Sequence, residues 1–207
     1  YAEGRNARIE FRWADGRYDR LPALAAELVR LQPAVIVAVG GSASALAAKS
    51  ATSNVPIVFA VGGDPVELGI VTTLGRPGGN MTGITMFSAA LDAKRLELLR
   101  DIAPASRVLA VVMNPSNPSA DSELRQARTA AAAVGMRLHL FSAQTDREIE
   151  AAFRAIAQLR ADALAVASDG FLIGRRARIV ALARDLRLPT IYAVREFAEA
   201  GGLVSYG

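Results

Sequence analysis

The chain contains no cysteine and a single histidine among its 207 residues. Disulfides, thiolate catalysis and cysteine-ligated metals are therefore excluded. A zinc site or a serine–histidine triad would have to rest on His139 alone. That residue sits inside Leu138-His139-Leu140, a strand-like pattern that reads as a sheet face rather than a catalyst. Aromatic residues make up 6% and charged residues 21%, against a hydrophobic share of 52%, so disorder is excluded and a packed α/β protein is favoured. No apolar run approaches the ~20 residues of a membrane-spanning helix. The opening Tyr1-Ala2-Glu3-Gly4-Arg5-Asn6 is polar and is no signal peptide, although a secreted protein can lose its leader by processing.

A net charge of +4 and an isoelectric point near 9.9 raise the question of nucleic acid. The basic residues are almost all arginine, however, and are scattered along helical segments beside acidic neighbours. Arg95-Glu97-Arg100-Asp101 and Arg147-Glu148-Glu150 read as solvated helix faces, and only 175–178 forms a dense basic cluster. No nucleic-acid partner is expected.

The organising stretch is 34–44, where the apolar run 34–39 leads into Gly40-Gly41-Ser42-Ala43-Ser44. Apolar residues without alternation predict a strand covered on both faces, as in a parallel sheet. The glycines allow a sharp turn, and Ser42 or Ser44 can cap the helix that follows. Such a turn either presents N–H groups to an anion or is a plain strand-to-helix connection.

Along the chain, alternation predicts an edge-type strand over 7–13, and Asp19 is placed as the cap of a helix through Val29. Strands are expected at 34–39, 56–61 and 81–86, with Asp64 capping a short helix after Gly62-Gly63. Asp64 can alternatively serve a magnesium ion, but no second carboxylate is obvious beside it. Ser88 is read as opening a helix to Ile102. Further strands are expected at 107–113, 137–141, 163–167, 190–194 and 203–206. They alternate with an alanine-rich helix ended by Gly135, a helix over 146–159 and one over 172–186. Alternating strands and helices predict a parallel α/β architecture in two series joined near 78–86, hence two lobes around a cleft. The strand ends carry Gly40-Gly41-Ser42, Gly62-Gly63-Asp64, Asn114-Pro115-Ser116 and Ser168-Asp169-Gly170, small polar residues without a nucleophile–base set. Asp169 either caps the next helix or faces the cleft to pair with a ligand ammonium.

Several of these segments carry a resemblance. Asp19-Arg20-Leu21-Pro22-Ala23-Leu24-Ala25, Gly62-Gly63-Asp64-Pro65-Val66, the Arg-Pro-Gly-Gly-Asn-x-Thr-Gly run at 76–83, Asn114-Pro115-Ser116-Asn117-Pro118 and the Gly-Gly-Leu-x-Ser-Tyr-Gly run at 201–207 occur in this order. The chain resembles the substrate-binding component of an ABC-type uptake system, in the group related to tryptophan- and tyrosine-binding proteins. The resemblance implies a two-lobed α/β fold like the type I periplasmic binding proteins, with parallel sheets flanked by helices, here as an incomplete fragment. Lobe 1 would span 1–84, without a first strand and helix, and lobe 2 would span 85–200, with 201–207 returning to the hinge. It implies no enzyme activity and no cofactor. The expected ligand is small and amino acid-like, often aromatic, and is handed to a membrane permease outside the cytoplasm. The receptor would be periplasmic or lipid-anchored, its signal peptide removed. In this reading a ligand carboxylate lies at Gly41, Ser42, Ala43 and Ser44. Asp169 takes the ammonium, Asn114, Ser116 and Asp64 add polar contacts, and Phe171 or Tyr192 lines an aromatic pocket. The ligand-sensing core of a sugar-type transcription regulator shares the architecture, and an α/β enzyme is the third class.

Overall fold

The computed structural model describes residues 2–86 and 91–207. Two all-parallel sheets organise the described residues. The first has the order β1-β2-β3, from β1 (Ile36–Ala38), β2 (Ile57–Val61) and β3 (Met81–Thr85). The second has the order β5-β4-β6-β7-β8. Its members are β4 (Val108–Met113), β5 (Arg137–Ser142), β6 (Ala163–Val166), β7 (Thr190–Tyr192) and β8 (Val204–Ser205). The stretch around Ile36 and the strand through Leu109 thus lie in separate sheets, and the molecule is two-lobed.

Helices α1 (Leu21–Arg30) and α2 (Ser42–Ala51) belong to the first lobe. The second carries α3 (Asp92–Ile102), α4 (Ala120–Ala133), α5 (Asp146–Leu159), α6 (Gly170–Gly174), α7 (Arg176–Asp185) and α8 (Arg195–Glu199). Helix α5 shows why local sequence suffices in places. Thr145 accepts from the Glu148 N–H at 3.2 Å, while Glu148 reaches back to the Gln144 N–H at 2.9 Å. Its apolar stripe, Ile149, Ala152, Phe153 and Ile156, is buried against the second sheet. Full burial of one such large side chain is worth about 1.5–3 kcal/mol.

Several expectations differ from the structure. Residues 8–13 form no strand: Ile9, Phe11 and Trp13 are exposed, and the latter two rings stack on each other at 5.8 Å. Alternation supplies a face, but a strand also needs a partner edge, and this segment has none among the described residues. Asp19 caps nothing; it lies in a 3-10 turn, ion-paired with Arg17, and α1 starts without a side-chain cap. The first sheet is covered on one face only. Ile36, Ala38, Ile57, Phe59 and Val61 are buried, whereas Val37 is 61% and Ile84 66% exposed. The helix expected over 172–186 is broken at Arg175, between α6 and α7. The expected start of a helix at Ser88 lies outside the described residues.

The glycine of Arg-Pro-Gly-Gly-Asn-x-Thr-Gly that faces β2 has a packing reason. Gly83 pairs with Phe59 across the two strands, and a Cβ there would run into the Phe59 carbonyl oxygen and lie 2.6 Å from its ring. Asn80 in the same run donates through Nδ2 to the carbonyls of Val55 at 2.7 Å and Thr52 at 3.1 Å, tying the loop to the end of α2.

The basic residues are largely committed to structure. Arg175 lies over the Phe171 ring at 4.7 Å and pairs with Asp146, and Arg178 pairs with Glu150. Arg95, expected on a solvated face, is instead 6% exposed. It bonds Asp92 at 2.6 Å and the Tyr206 carbonyl at 2.7 Å, pinning the end of the chain to α3.

Candidate functional site

In parallel α/β layers the loops after the strands collect at one edge of each sheet. Here the edges of the two sheets meet. From the first lobe come the β1–α2 turn and the turn after β2; from the second come the 114–119 and 168–170 loops. Side-chain contacts cross between the lobes. Tyr18 donates its hydroxyl to Asp169 Oδ2 at 2.6 Å. Ser42 Oγ and Ser119 Oγ are 3.1 Å apart and buried. Glu67 accepts from Ser122 at 3.0 Å and from Arg125 at 2.8 Å.

The β1–α2 turn is built on Gly41, at φ 103°, which occupies the N-cap position of α2 without a side-chain cap. Neither serine fills that role. Ser44 Oγ instead donates to the Gly41 carbonyl at 2.8 Å, and Ser42 spends its hydroxyl on Ser119. The N–H groups of Ser42, Ala43 and Ser44 thus begin the helix with no acceptor inside it. Ala43 and Ser44 are half-buried.

After β2, Asp64 Oδ1 accepts from the Val66 N–H at 2.8 Å and from Glu67 at 3.4 Å. The chain that follows is a run of turns, not the short helix expected. Gly63 is required by close approach: a Cβ there would lie 2.6 Å from Ser119 Oγ. Among the described residues no group of three acidic or histidine side chains is placed to hold a metal ion.

Asp169 is 3% exposed and caps α6, accepting from Phe171 at 2.9 Å and Leu172 at 3.1 Å through Oδ1. Asn114, 2% exposed, donates Nδ2 to the same carboxylate at 3.2 and 3.3 Å. Burial, then the Asp169 charge, raises the pKa of Tyr18, so its phenol keeps the proton it donates. Ser116 donates its N–H to Asn114 Oδ1 at 2.9 Å, but its hydroxyl is turned away to Gln144 and the residue is exposed. Phe171 and Tyr192 are core residues of the second lobe, 3% and 1% exposed. Tyr192 stacks on Phe197 at 4.5 Å, and burial pushes its phenol up to about 12. Neither ring is on the wall of the cavity beside Ser119 or of the one beside Asp92.

A cavity of about 300 Å3 lies between the lobes, walled by the turn after β2 and by the start of α4. A second, of about 40 Å3, lies inside the second lobe between α3, α4 and the strand ends. Glu123 borders both. It is 6% exposed, and burial first, then the charges of Asp92 and Asp169, push its carboxyl up to about 8, with Arg95 opposing. Burial also raises Asp92, against the pull of Arg95.

Tyr18, Ser119 and Glu123 are the site residues that sequence reasoning missed. A signal existed only for Glu123. It falls on the buried stripe of α4, with Ala120, Ala127, Ala130 and Ala131, where a carboxylate is out of place.

Two parallel lobes with opposed strand-end loops define a type I periplasmic-binding-protein-like fold. The sequence model of the ABC transporter substrate binding proteins matches residues 1–207, and the chain belongs to that family. It is 26% identical over 207 residues to a tyrosine-binding protein of Clostridioides difficile strain R20291. All of the chain is matched, and it spans 59% of that curated relative's length. Among solved structures, a conserved domain protein of Vibrio cholerae is 27% identical with a TM-score of 0.91, covering 100% of this chain and 69% of its own. A Streptococcus pneumonia ABC domain in complex with L-Trp has a TM-score of 0.86 at 21% identity, covering 96% of this chain and 68% of its own, a likeness of fold.

Proposed function

We propose that the protein is the solute-binding receptor of an ABC-type uptake system and holds a small amino acid-like ligand between its two lobes. The observation that carries this reading is the set of facing loops, hydrogen-bonded across the cleft, with a cavity of about 300 Å3 beside Ser119. A receptor needs no reacting group; it needs two half-sites that desolvate the ligand together, so that binding drives closure. Lobe 1 comprises 1–84 and lobe 2 comprises 85–200, with 201–207 returning to the hinge.

The ligand carboxylate lies at the N–H groups of Ser42, Ala43 and Ser44, where the dipole contributes about 0.3–2 kcal/mol. Asn114 and Asp169 form the facing polar wall, with Asp64 at the margin. An ammonium reaches Asp169 Oδ2 only by displacing the Tyr18 hydroxyl. The curated tyrosine-binding relative and the L-Trp complex support an amino acid, aromatic ones included. Family membership supports a place outside the cytoplasm, periplasmic or lipid-anchored, and delivery to a membrane permease. The chain catalyses nothing in this role.

Thermal-shift screening of the full-length protein against the amino acids, sugars and small carboxylates tests the reading. A ligand at a hundredfold excess over Kd stabilises by about 2.7 kcal/mol. Silence across the whole panel would overturn it.

A further inference from the structure

Two buried carboxyls stand at the cleft, and they differ in what they have left to offer. Asp169 is spent: both oxygens hold partners, from Phe171, Leu172, Asn114 and Tyr18. Glu123 is not. Among the described residues its carboxyl has neither a hydrogen-bond donor nor an ion-pair partner, although it is 94% removed from solvent and borders both cavities. A carboxyl kept on an alanine stripe and bordering two cavities is available to a group that enters them.

The charge around it says what arrives. From α3, Asp92 and Arg95 face it as a closed pair. Asp169 stands on the loop after β6, and across the cleft lie Asp64 and Glu67. Its own helix adds Asp121 and Arg125, the latter paired with Glu67. The surroundings hold more carboxyls than cations, so a positive group lowers the energy of the whole cluster, whereas an anion raises it.

We propose that Glu123 receives the ammonium group of the ligand and is the residue that distinguishes an amino acid from the same molecule without its amine. The assignment rests on the amino acid reading of the cleft given above. In the empty protein Glu123 carries its proton at neutral pH, because burial and its acidic neighbours push its pKa up to about 8. A cation beside it favours the ionised form, so ammonium binding releases a proton and tightens as pH rises from 6 to about 8. Asp92 remains compensated by Arg95 and does not share this response.

The test compares the full-length protein with E123Q and D169N by titration calorimetry. The probes are L-tyrosine, L-tryptophan, L-phenylalanine and L-leucine, with 3-(4-hydroxyphenyl)propanoate as the tyrosine analogue lacking the amine. The wild type is expected to prefer the amino acid to its deaminated analogue and to release close to one proton at pH 7, read from two buffers of different ionisation enthalpy. E123Q should weaken the amino acid at least tenfold, leave the analogue within twofold and abolish the proton release. Its unliganded thermal midpoint should not fall, since glutamine copies a carboxyl that is already neutral. D169N should change both ligands alike. An E123Q affinity within twofold of wild type, or loss of the amine preference in D169N instead, overturns the assignment while the receptor reading stands. A wild type that binds none of the amino acids overturns the amino acid reading, and the assignment falls with it.

Discussion

Tyr18→Phe removes one oxygen from the contact that spans 151 residues of sequence and joins the lobes. The lost bond is short, 2.6 Å, and its acceptor is a carboxylate in a residue only 3% exposed. Hydrogen bonds to charged groups contribute about 1.5–3 kcal/mol, which is roughly 12- to 150-fold in an equilibrium constant. Asp169 keeps its bonds to Phe171, Leu172 and Asn114, so the variant leaves the cap of α6 in place and acts on the contact between lobes. The factor must then appear in one of two places. If the unliganded wild type is mostly closed, small-angle scattering of Y18F shows a larger radius of gyration. If it is mostly open, the factor appears in ligand affinity, because the closed state is the one that binds and its share multiplies the apparent constant. Calorimetry and scattering on the same samples cover both cases. An unchanged radius together with an affinity within twofold would refute the argument that this bond holds the lobes together.

Other perturbations probe the scaffold. Gly83→Ala places a methyl group against the Phe59 backbone, so the urea midpoint should fall by an amount equivalent to about 1–3 kcal/mol. Phe59→Leu should not rescue it, because the carbonyl oxygen stays. Thr145→Ala removes the cap of α5 and should cost about 0.5–2 kcal/mol in the same assay without altering ligand binding. Glu123 predicts a pH dependence of stability. Its folded pKa, about 8, lies above the ordinary glutamate value, so the folded state holds the proton more tightly than the unfolded chain. Stability from this group is therefore full below pH ~4.3 and is lost as pH rises toward 8. Chemical unfolding should show E123Q gaining on wild type between pH 5 and 8; parallel curves would contradict it. Asp162 runs the other way: the Arg107 and Val108 N–H groups, each at 2.8 Å, hold its carboxyl below the usual range. Its contribution is present above the ordinary aspartate value and fades as pH falls through the lowered one, which carboxyl NMR titration reads directly.

Much of the fold was legible along the chain. Helix α5 and the parallel strands of the second lobe were read close to their limits, since caps, glycine stops and apolar runs act within a few residues. The opposed loops were legible as well, because strand ends in parallel layers face one edge whatever their partners. The failures share a cause. Residues 8–13 alternate like a strand and pair with nothing, and the run 34–39 looks buried on both faces but is covered on one. Arg95 has the sequence surroundings of a solvated arginine and is enclosed by α3 and the chain end. Phe171 follows a strand-end loop and Tyr192 ends a strand, as pocket residues do, yet both point into the second lobe's core. Each depends on what stands opposite, which no window of sequence contains.

The sequence by itself therefore determined the alternation of strands and helices, the parallel class and the lack of cysteine thiols, because those follow from local periodicity and residue inventory. Only the tertiary structure decided which polar groups are already satisfied at the cleft. Tyr18 had to meet Asp169, and Ser42 had to meet Ser119, before the buried carboxyl of Glu123 could be recognised as one without a partner among the described residues. Hydrogen bonding saturates: a donor given to one acceptor is withdrawn from the rest, so what a site can still bind depends on contacts made across the whole chain.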